Sequence, residues 1–362
     1  MSHAPHSAPS AFAAPVWSDA SRQAAFTNWL TALVPLQALR PETLCSASAD
    51  ASFRRYFRID SAHGSRIIMD APPDKEDCRA FAHVAQLMHD AGLRVPDVLA
   101  WDEAHGFMLL SDLGTHTMLQ VIQRDQLTQP QGLYLQAVDA LIAWQLASRP
   151  DVLPVYDNAL LRRELELFPD WYLAQHKGIV IDEAARHTLN VAFERITAHN
   201  LSWPSVYVHR DFMPRNLMLP HDGAPAALGV LDFQDAVYGP ITYDIASLMR
   251  DAFWSWDEDF CLDIIIRYWD KARQAGLPVG NDFGEFYQGV EWMGLQRHLK
   301  VAGIFTRLTL RDGKAQYLAD TPRFIGYIRA TCERYVQLKP LLRLVERAEG
   351  IAMPNVFGFG RA

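Results

Sequence analysis

Two short apolar runs, Val206–Val208 and Leu228–Leu231, interrupt a part of the chain whose pattern is otherwise helical, and they constrain the fold more than any other feature. A polar loop follows each of them: VYVHRDFMPRNLMLP contains the first loop and LGVLDFQDAVYGPITYD the second. Short apolar runs bounded by polar residues predict buried strands, and loops at strand ends often hold functional groups. The pattern therefore predicts two paired strands that deliver Asp211 and Asp232 at adjacent ends.

The rest of the chain divides into a strand-rich part and a helical part. Strands are predicted over Ser52–Ile59, Ser65–Asp70, Val95–Trp101 and Gly106–Leu110, with a helix after Pro72. Helices are predicted over 130–148, 158–176, 183–199, 257–275, 283–307 and 321–348. We therefore expect an α+β protein with a flexible tail (1–17), a small strand-rich N-lobe that binds nucleotide (18–112) and a large, mostly helical C-lobe for catalysis and acceptor binding (113–362).

Composition excludes several classes of function. The 34 basic and 42 acidic residues give a net charge of −8, which argues against a generic nucleic-acid binder. The four cysteines are scattered, without metal-ligand spacing, and no stretch approaches eighteen consecutive apolar residues. The first residues lack the pattern of a signal peptide. We expect a cytoplasmic monomer whose partner is a small molecule, with no nucleic-acid or membrane partner.

The polar residues of the two loops fit phosphoryl transfer. Asn216 follows Asp211 by five positions, and Asp232 follows Asn216 by sixteen. The reaction needs a carboxylate beside the acceptor hydroxyl and oxygen ligands for Mg²⁺. Asp211 fits the base, and Asn216 and Asp232 fit the metal; their order, H-R-D-x-x-x-x-N and then D-F, is the catalytic-loop and metal-loop signature of kinases. His209 is expected to be buried and to hold the loop. Asp244 either complements a helix N-terminus or anchors the catalytic loop.

Three motifs identify a family. HRDFMPRN, LDFQDAVYGPITYD and LLSDLG resemble the aminoglycoside-phosphotransferase and choline-kinase superfamily of small-molecule kinases, over about residues 20–350. Within it, SADASFRRYFR, IIMDAPP and ELFPDWY resemble the bacterial sugar kinases of cell-wall (peptidoglycan) recycling. The resemblance implies a two-lobed protein-kinase-like fold and transfer of phosphate from ATP, with Mg²⁺, to the anomeric hydroxyl of N-acetylmuramate and N-acetylglucosamine.

The chain departs from protein kinases where they hold the phosphates. Ser46–Ser52 contains no glycine, Ile67–Asp70 stands where a lysine is expected, and Gln234 replaces the glycine of D-F-G. We expect the phosphates to contact the small-residue run ending at Ser52 and one of Arg54 or Arg55. The resemblance implies that the backbone of Ser111–Leu113 receives the adenine.

The acceptor site is less defined by sequence. The resemblance places it in the helical lobe, and a sugar favours an aromatic platform with polar side chains around it. The candidates are Arg215, Gln234, Glu166 and Trp171, with Asp170, Trp254 and Trp256 as further possibilities. Arg215 would suit the lactate carboxylate of muramate. Two alternatives stay open: an aminoglycoside or choline/homoserine-type kinase, and a non-catalytic ATP-binding pseudokinase, which the missing lysine would suit.

Overall fold

The computed structural model describes residues 16–17, 19–49, 53–122, 128–220 and 227–351. The chain forms two compact units: an N-terminal unit, up to Thr117 and from Met218 to Asp235, and a C-terminal unit, from Met118 to Leu217 and from Ala236 onward. The lobes predicted from sequence assume a single crossing near residue 112. The chain instead crosses between the units three times, so the loop containing Asp232 belongs with the strand-rich unit.

The N-terminal unit is built on a five-stranded antiparallel sheet with the order β1-β2-β3-β5-β4. Its elements are α1 (Ala20–Gln37), β1 (Leu39–Ala49), β2 (Arg55–Ser61), β3 (Gly64–Asp70), α2 (Cys78–Asp90), β4 (Val98–Asp102) and β5 (Phe107–Ser111). The sequence did not predict β1, because its run of small residues lacks apolar alternation and the strand is irregular, with two register shifts against β2. The hairpin of β2 and β3 is confirmed.

One face of this sheet packs on α1. Phe26 and Leu30 of the helix lie against Phe57 and Ile68 of the sheet, all of them buried. Side chains two positions apart on a strand share a face, so Asp70 lies on the same side of β3 as Ile68. The segment where a lysine is expected thus ends in an acid that faces α1.

The C-terminal unit is mostly helical. Its α-helices are α3 (Met118–Val121), α4 (Thr128–Leu146), α5 (Asn158–Leu167), α6 (Glu183–Leu201), α7 (Thr242–Met249), α8 (Glu258–Gln274), α9 (Phe283–Leu310), α10 (Thr321–Arg334) and α11 (Lys339–Ala348). A π-helix covers Phe168–His176, and 3₁₀ turns cover Pro214–Asn216, Ala315–Asp320 and Val336–Leu338. Within the described residues no helix is long and apolar enough to cross a membrane. The predicted α+β class is confirmed.

Two predicted helices differ from the structure at prolines. The helix predicted over 321–348 breaks at Tyr335, which is extended, and a new helix begins just before Pro340. A proline inside a continuous helix would lose a hydrogen bond and clash with the preceding turn. The helix predicted over 158–176 changes to a π-helix at Phe168, directly before Pro169.

The predicted pairing of the strands before Asp211 and Asp232 is wrong. The first of them, β6 (Ser205–Val208), pairs antiparallel with β9 (Val237–Pro240). The second, β8 (Gly229–Val230), pairs instead with β7 (Leu217–Met218). Sequence reasoning missed β9 because Gly239 and Pro240 are typical of a turn. Gly239 is required there, since a Cβ would lie 2.7 Å from the side chain of Tyr156.

Candidate active site

The loop after β6 is held by two buried side chains. His209 is fully buried, and its Nδ1 accepts a hydrogen bond from the backbone N–H of Asp211 at 3.2 Å. The carboxylate of Asp244 accepts hydrogen bonds from the backbone N–H groups of His209 and Arg210, at 2.7 and 3.0 Å. Arg210 adopts a left-handed backbone (φ 77°), unusual outside glycine. Asp244 lies in the first turn of α7 and also anchors the loop.

Asp211 and Asn216 are brought together within this loop. Asn216 closes the 3₁₀ turn that begins at Pro214, and its Nδ2 donates a hydrogen bond to the backbone carbonyl of Asp211 at 2.9 Å. An amide that donates through nitrogen keeps its oxygen on the other side of the group. The loop therefore brings Asn216 to the backbone of Asp211, and the amide oxygen of Asn216 is a ligand type that Mg²⁺ accepts.

A buried group of charges lies behind the loop. Glu164 of α5 pairs with Arg210 at 2.5 Å and with Lys300 of α9 at 3.0 Å, and the hydroxyl of Tyr156 donates a hydrogen bond to it. Arg297, one turn before Lys300, donates to the carbonyl of Arg210 at 2.5 Å. These contacts fix the loop from α5 and α9.

The same cations lower the pKa of Asp211, the candidate base. Burial alone would raise the pKa of Asp211, but the nearby cations of Lys300, Arg297 and Arg210 hold it below its ordinary value. Asp211 is therefore an ionised carboxylate at neutral pH. Sequence reasoning missed Glu164, Arg297 and Lys300, and the only signal was two cations within a long, otherwise buried helix.

Asp232 occupies the second loop, in the N-terminal unit. Its backbone is left-handed (φ 64°), and its Oδ1 accepts a hydrogen bond from Nε2 of Gln234 at 2.9 Å. Between them, Phe233 is buried and packs on Phe81 of α2, with ring centroids 4.9 Å apart. Gln234, predicted to bind substrate, thus makes its observed contact with the predicted metal ligand.

Arg54 is the cation that accompanies Asp232. It is 9% exposed and pairs with Glu76 at 2.7 Å, just before α2. Burial would lower the pKa of Arg54, but the charges of Tyr56, Glu76, Asp232 and Asp235 outweigh this and raise it. Glu76 therefore provides a carboxylate just before α2, and Arg54 provides a cation beside the loop of Asp232, although the expected lysine is missing. The predicted Ser52 contact falls outside the described residues.

Arg55 has a different environment. Its Nε donates to Asp70 at 2.9 Å, and its guanidinium stacks 4.1 Å from the ring of Trp17. Arg22 of α1 donates to the other carboxylate oxygen of Asp70 at 2.8 Å. Asp70 is fully buried and so joins α1 to the sheet through two arginines. Of the two arginines considered for phosphate binding, only Arg54 lies near Asp232.

The segment after β5 is fixed from both sides. The carboxylate of Asp112 accepts hydrogen bonds from Arg58 at 2.7 Å, from Ser65 at 2.6 Å and from the N–H of Gly114 at 3.0 Å. Burial would raise the pKa of Asp112, but these bonds hold it below its ordinary value. On the other side, Arg94 donates to the carbonyl of Leu113 at 2.6 Å.

Ser111 already uses its own groups at the end of β5. Its N–H donates to the carbonyl of Asp97 at 3.0 Å, and its hydroxyl accepts from the N–H of Asp97 at 2.8 Å. The backbone N–H of Ser111 is therefore engaged within the sheet, whereas no hydrogen bond to its carbonyl is seen among the described residues. We refer to Ser111–Gly114 as the hinge.

The candidate acceptor residues other than Gln234, which lies in the N-terminal unit, are spread over the C-terminal unit. Arg215 is exposed, with its guanidinium 4.6 Å from the ring of Phe253. Both carboxylate oxygens of Glu166 are taken by arginines, Arg162 at 2.9 Å and Arg186 at 2.8 Å. Trp171 is half-buried in the π-helix. Glu166 is thus an ion-pair partner in the structure, and its predicted contact with substrate would require these pairs to open.

The further candidates are also exposed or half-buried. Asp170 is exposed, and Trp254 is half-buried. Trp256 is half-buried too and donates a hydrogen bond to the hydroxyl of Tyr134 at 2.8 Å. Across the described ranges, no three or more His, Cys, Asp or Glu side chains form a group placed to hold a metal ion.

Comparison with known proteins decides the family. Residues 43–279 match the phosphotransferase enzyme family. The chain belongs to that family. It is 47% identical over 331 residues to the N-acetylmuramate/N-acetylglucosamine kinase of Neisseria meningitidis serogroup B, covering 91% of this chain and 96% of that protein. It is 45% identical to the protein of the same name from Pseudomonas aeruginosa, covering 91% and 97%.

The fold of this phosphotransferase is shared more widely. The Plasmodium vivax ethanolamine kinase superposes with a TM-score of 0.56 at 11% identity, covering 91% of this chain and 92% of that one. The resemblance to small-molecule kinases predicted from the motifs is confirmed. This chain is a phosphotransferase with the architecture of that group.

Proposed function

We propose that this phosphotransferase transfers the γ-phosphoryl group of ATP to the anomeric hydroxyl of N-acetylmuramate and N-acetylglucosamine, as a cytoplasmic, monomeric enzyme of peptidoglycan recycling. The observation that supports catalysis is the ionised carboxylate of Asp211, whose backbone is held by His209 and Asn216. The names of relatives at 45–47% identity over most of the chain support the choice of sugar.

The proposed roles follow from the chemistry of each group. Asp211 orients the C1 hydroxyl and accepts its proton as the oxygen–phosphorus bond forms and the bond to the departing ADP breaks. Asn216 and Asp232 would hold Mg²⁺, since both offer the oxygen ligands that this ion prefers. When bound, Mg²⁺ neutralises charge on the phosphates.

The nucleotide would be held by the N-terminal unit. Arg54 is proposed to contact the phosphates, because it is the buried cation whose charge interacts with that of Asp232. The Ser111 carbonyl and the Leu113 N–H are proposed to bind the adenine. Arg215, Gln234, Glu166 and Trp171 remain proposals for the acceptor site.

The decisive experiment measures ADP release with a panel of acceptors: N-acetylmuramate, N-acetylglucosamine, N-acetylgalactosamine, kanamycin, choline and homoserine. We expect turnover with N-acetylmuramate and N-acetylglucosamine, and an acid-labile product, as C1 phosphate esters are. Turnover restricted to kanamycin, choline or homoserine would contradict the proposal and favour the alternative kinases.

A second measurement separates catalysis from nucleotide binding alone. Asp211→Asn should lower kcat by about 10²–10⁴-fold, because it removes the proton acceptor, while ADP binding stays unchanged. Asp139→Asn is the matched control, since Asp139 is an exposed acid that pairs with Lys271 on the surface of the same unit. If Asp211→Asn left turnover intact, Asp211 would not be the base. If the wild type bound ADP but phosphorylated no acceptor, the result would favour the pseudokinase hypothesis.

A further inference from the structure

Arg94 joins three segments of the N-terminal unit. It lies between α2 and β4, and its Nη2 donates a hydrogen bond to the hinge carbonyl of Leu113 at 2.6 Å. Its own backbone carbonyl accepts a hydrogen bond from the N–H of Val230 at 2.8 Å. Val230 ends β8, two residues before Asp232. One residue therefore connects the hinge, through its side chain, to the strand that leads into the metal loop, through its backbone.

The guanidinium of Arg94 is held tightly against the hinge. Gly229 leaves it just enough space, because a Cβ there would lie 3.2 Å from Nη1 of Arg94 and 2.9 Å from Cδ1 of Leu113. Nη1 is buried and has no hydrogen-bond partner among the described residues, and burial lowers the pKa of Arg94. Burying a charge is costly, so the hydrogen bond to the Leu113 carbonyl is the main interaction that this position provides.

Two other residues of the hinge, Asp112 and Gly114, are fixed by their surroundings. Asp112 is bound by Arg58, Ser65 and the N–H of Gly114. Gly114 has a φ of 135°, and a Cβ there would lie 2.7 Å from the carbonyl oxygen of Leu219. The hinge therefore keeps one conformation, with the Leu113 carbonyl turned toward Arg94.

Adenine and guanine make different demands on such a segment. The edge of adenine that would face the hinge carries a 6-amino donor and the N1 acceptor, which match the Ser111 carbonyl and the Leu113 N–H. The same edge of guanine carries the O6 acceptor next to two donors, N1–H and the 2-amino group. If O6 took the Leu113 N–H, the donors of guanine would need the next acceptor along the hinge, which is the Leu113 carbonyl.

We propose that Arg94 is a specificity-determining residue that selects adenine over guanine nucleotides by occupying the Leu113 carbonyl. Its hydrogen bond takes one lone pair of that carbonyl and its positive charge repels the donor hydrogens of guanine, so these donors are poorly paired, which costs affinity. Adenine does not use this carbonyl and is unaffected. The inference rests on the proposed function, because it requires the nucleobase to bind at the hinge.

The test compares kcat/KM for ATP and GTP at saturating N-acetylglucosamine. The wild type should prefer ATP by at least about tenfold, and Arg94→Met should reduce that preference by about tenfold, the effect of one hydrogen bond. Arg94→Lys keeps a cation near the carbonyl and should retain more of the preference. Arg79→Met, which removes an exposed arginine paired with Glu103, should leave it unchanged.

The ratio of the two nucleotides separates specificity from a purely structural role, because a damaged fold lowers both rates equally. Equal use of ATP and GTP by the wild type, or an equal loss of both in Arg94→Met, would overturn the proposal. Calorimetric titration of ADP and GDP gives the same ratio without turnover. An enzyme that phosphorylates no sugar would refute the proposed function, and the ADP/GDP ratio would still decide the role of Arg94.

Discussion

Arg54 and Arg55 are neighbours in sequence with unrelated surroundings. Arg54 is buried beside Glu76, within reach of the charge of Asp232, whereas Arg55 binds Asp70 and Trp17 on the side of the sheet that faces α1. The alternation of a strand predicts that adjacent residues point to opposite faces. It does not say which face meets the nucleotide, because that depends on where α1 packs.

The two arginines should therefore respond differently to substitution. Arg54→Met should raise the KM for ATP by about tenfold or more, since a charge-assisted hydrogen bond to phosphate is lost. Arg55→Met should leave that KM unchanged and lower the free energy of unfolding by about 1–3 kcal/mol, because Asp70 keeps only one of its partners. Steady-state kinetics and urea denaturation of both variants measure this contrast, and an increase in KM confined to Arg55→Met would reverse the assignment.

Asp251 should make stability depend on pH. It is 1% exposed, and burial raises its pKa to about 6, although the backbone N–H groups of Phe253 and Ala252 partly oppose the shift. Between about pH 4 and pH 6, Asp251 therefore keeps its proton in the native state, whereas the unfolded chain releases it. Its contribution to stability is thus complete below about pH 4 and is lost as the pH rises through 6.

Asp251→Asn has no proton to release, so its stability relative to the wild type should improve by up to roughly 3 kcal/mol from pH 4 to pH 7. Urea denaturation at both values measures the difference between the two proteins. The buried His298, whose pKa burial lowers to about 3, acts in the opposite direction but contributes equally to both and cancels. A difference that stays constant with pH would show that Asp251 is ionised at both values.

At the scale of elements, α9 combines stability with support of the catalytic loop. Arg297 contacts the loop, Lys300 pairs with Glu164, and Gly303 lies where α5 changes to the π-helix. A Cβ on Gly303 would lie 2.3 Å from the carbonyl oxygen of Leu167. Glycine is tolerated within this helix because the backbone of a neighbouring helix needs the space.

Gly303→Ala should therefore destabilise the protein by about 1–3 kcal/mol, even though alanine favours helices. Gly326→Ala in α10 is the matched control, since nothing lies within 4 Å of a Cβ there, and it should stabilise by about 0.5–1 kcal/mol. Thermal unfolding measures both changes. A neutral Gly303→Ala would show that α5 can move away from α9 without cost.

The elements also show what the sequence could predict. The helices predicted over 257–275 and 283–307 agree with α8 and α9 to within a few residues, and α2 begins at Cys78, six residues after Pro72. β1 lacks alternation, and the pairing of β6 with β9 depends on which distant strand fills the space beside it. The break at Tyr335 could have been predicted from Pro340.

At the scale of the whole molecule, the N-terminal unit depends on a second segment, Met218–Asp235, which follows residues 118–217 of the C-terminal unit in the chain. In this segment the N–H groups of Val230 and Leu219 donate hydrogen bonds to the carbonyls of Arg94 and His116. The ring of Phe233 packs on that of Phe81. A fragment that ends at residue 117 lacks all three contacts.

The fragment 16–117 should therefore unfold at a lower temperature and less cooperatively than a version in which 218–235 is attached through a flexible linker. Circular dichroism melts of the two fragments test this. Equal melting behaviour would show that the first 117 residues form a self-sufficient domain.

The same long separations explain how much of the site could be predicted. Asp211, Asn216 and Asp232 stand out because their spacing is a local motif. Glu164 and Lys300 contact each other across more than a hundred residues, and Arg94 contacts the hinge carbonyl of Leu113 across 19 residues. Nothing in their local sequence distinguishes them from other charged residues.

The spacing of Arg297, Lys300 and Gly303 on α9 has a consequence for how this chain can change in evolution. One inserted or deleted residue rotates the following part of a helix by about 100°. Whichever of these three residues follow the change would then turn away from their partners. Length differences among relatives should therefore be absent from the middle of α9. They should collect in connections such as residues 311–314, most of which are exposed.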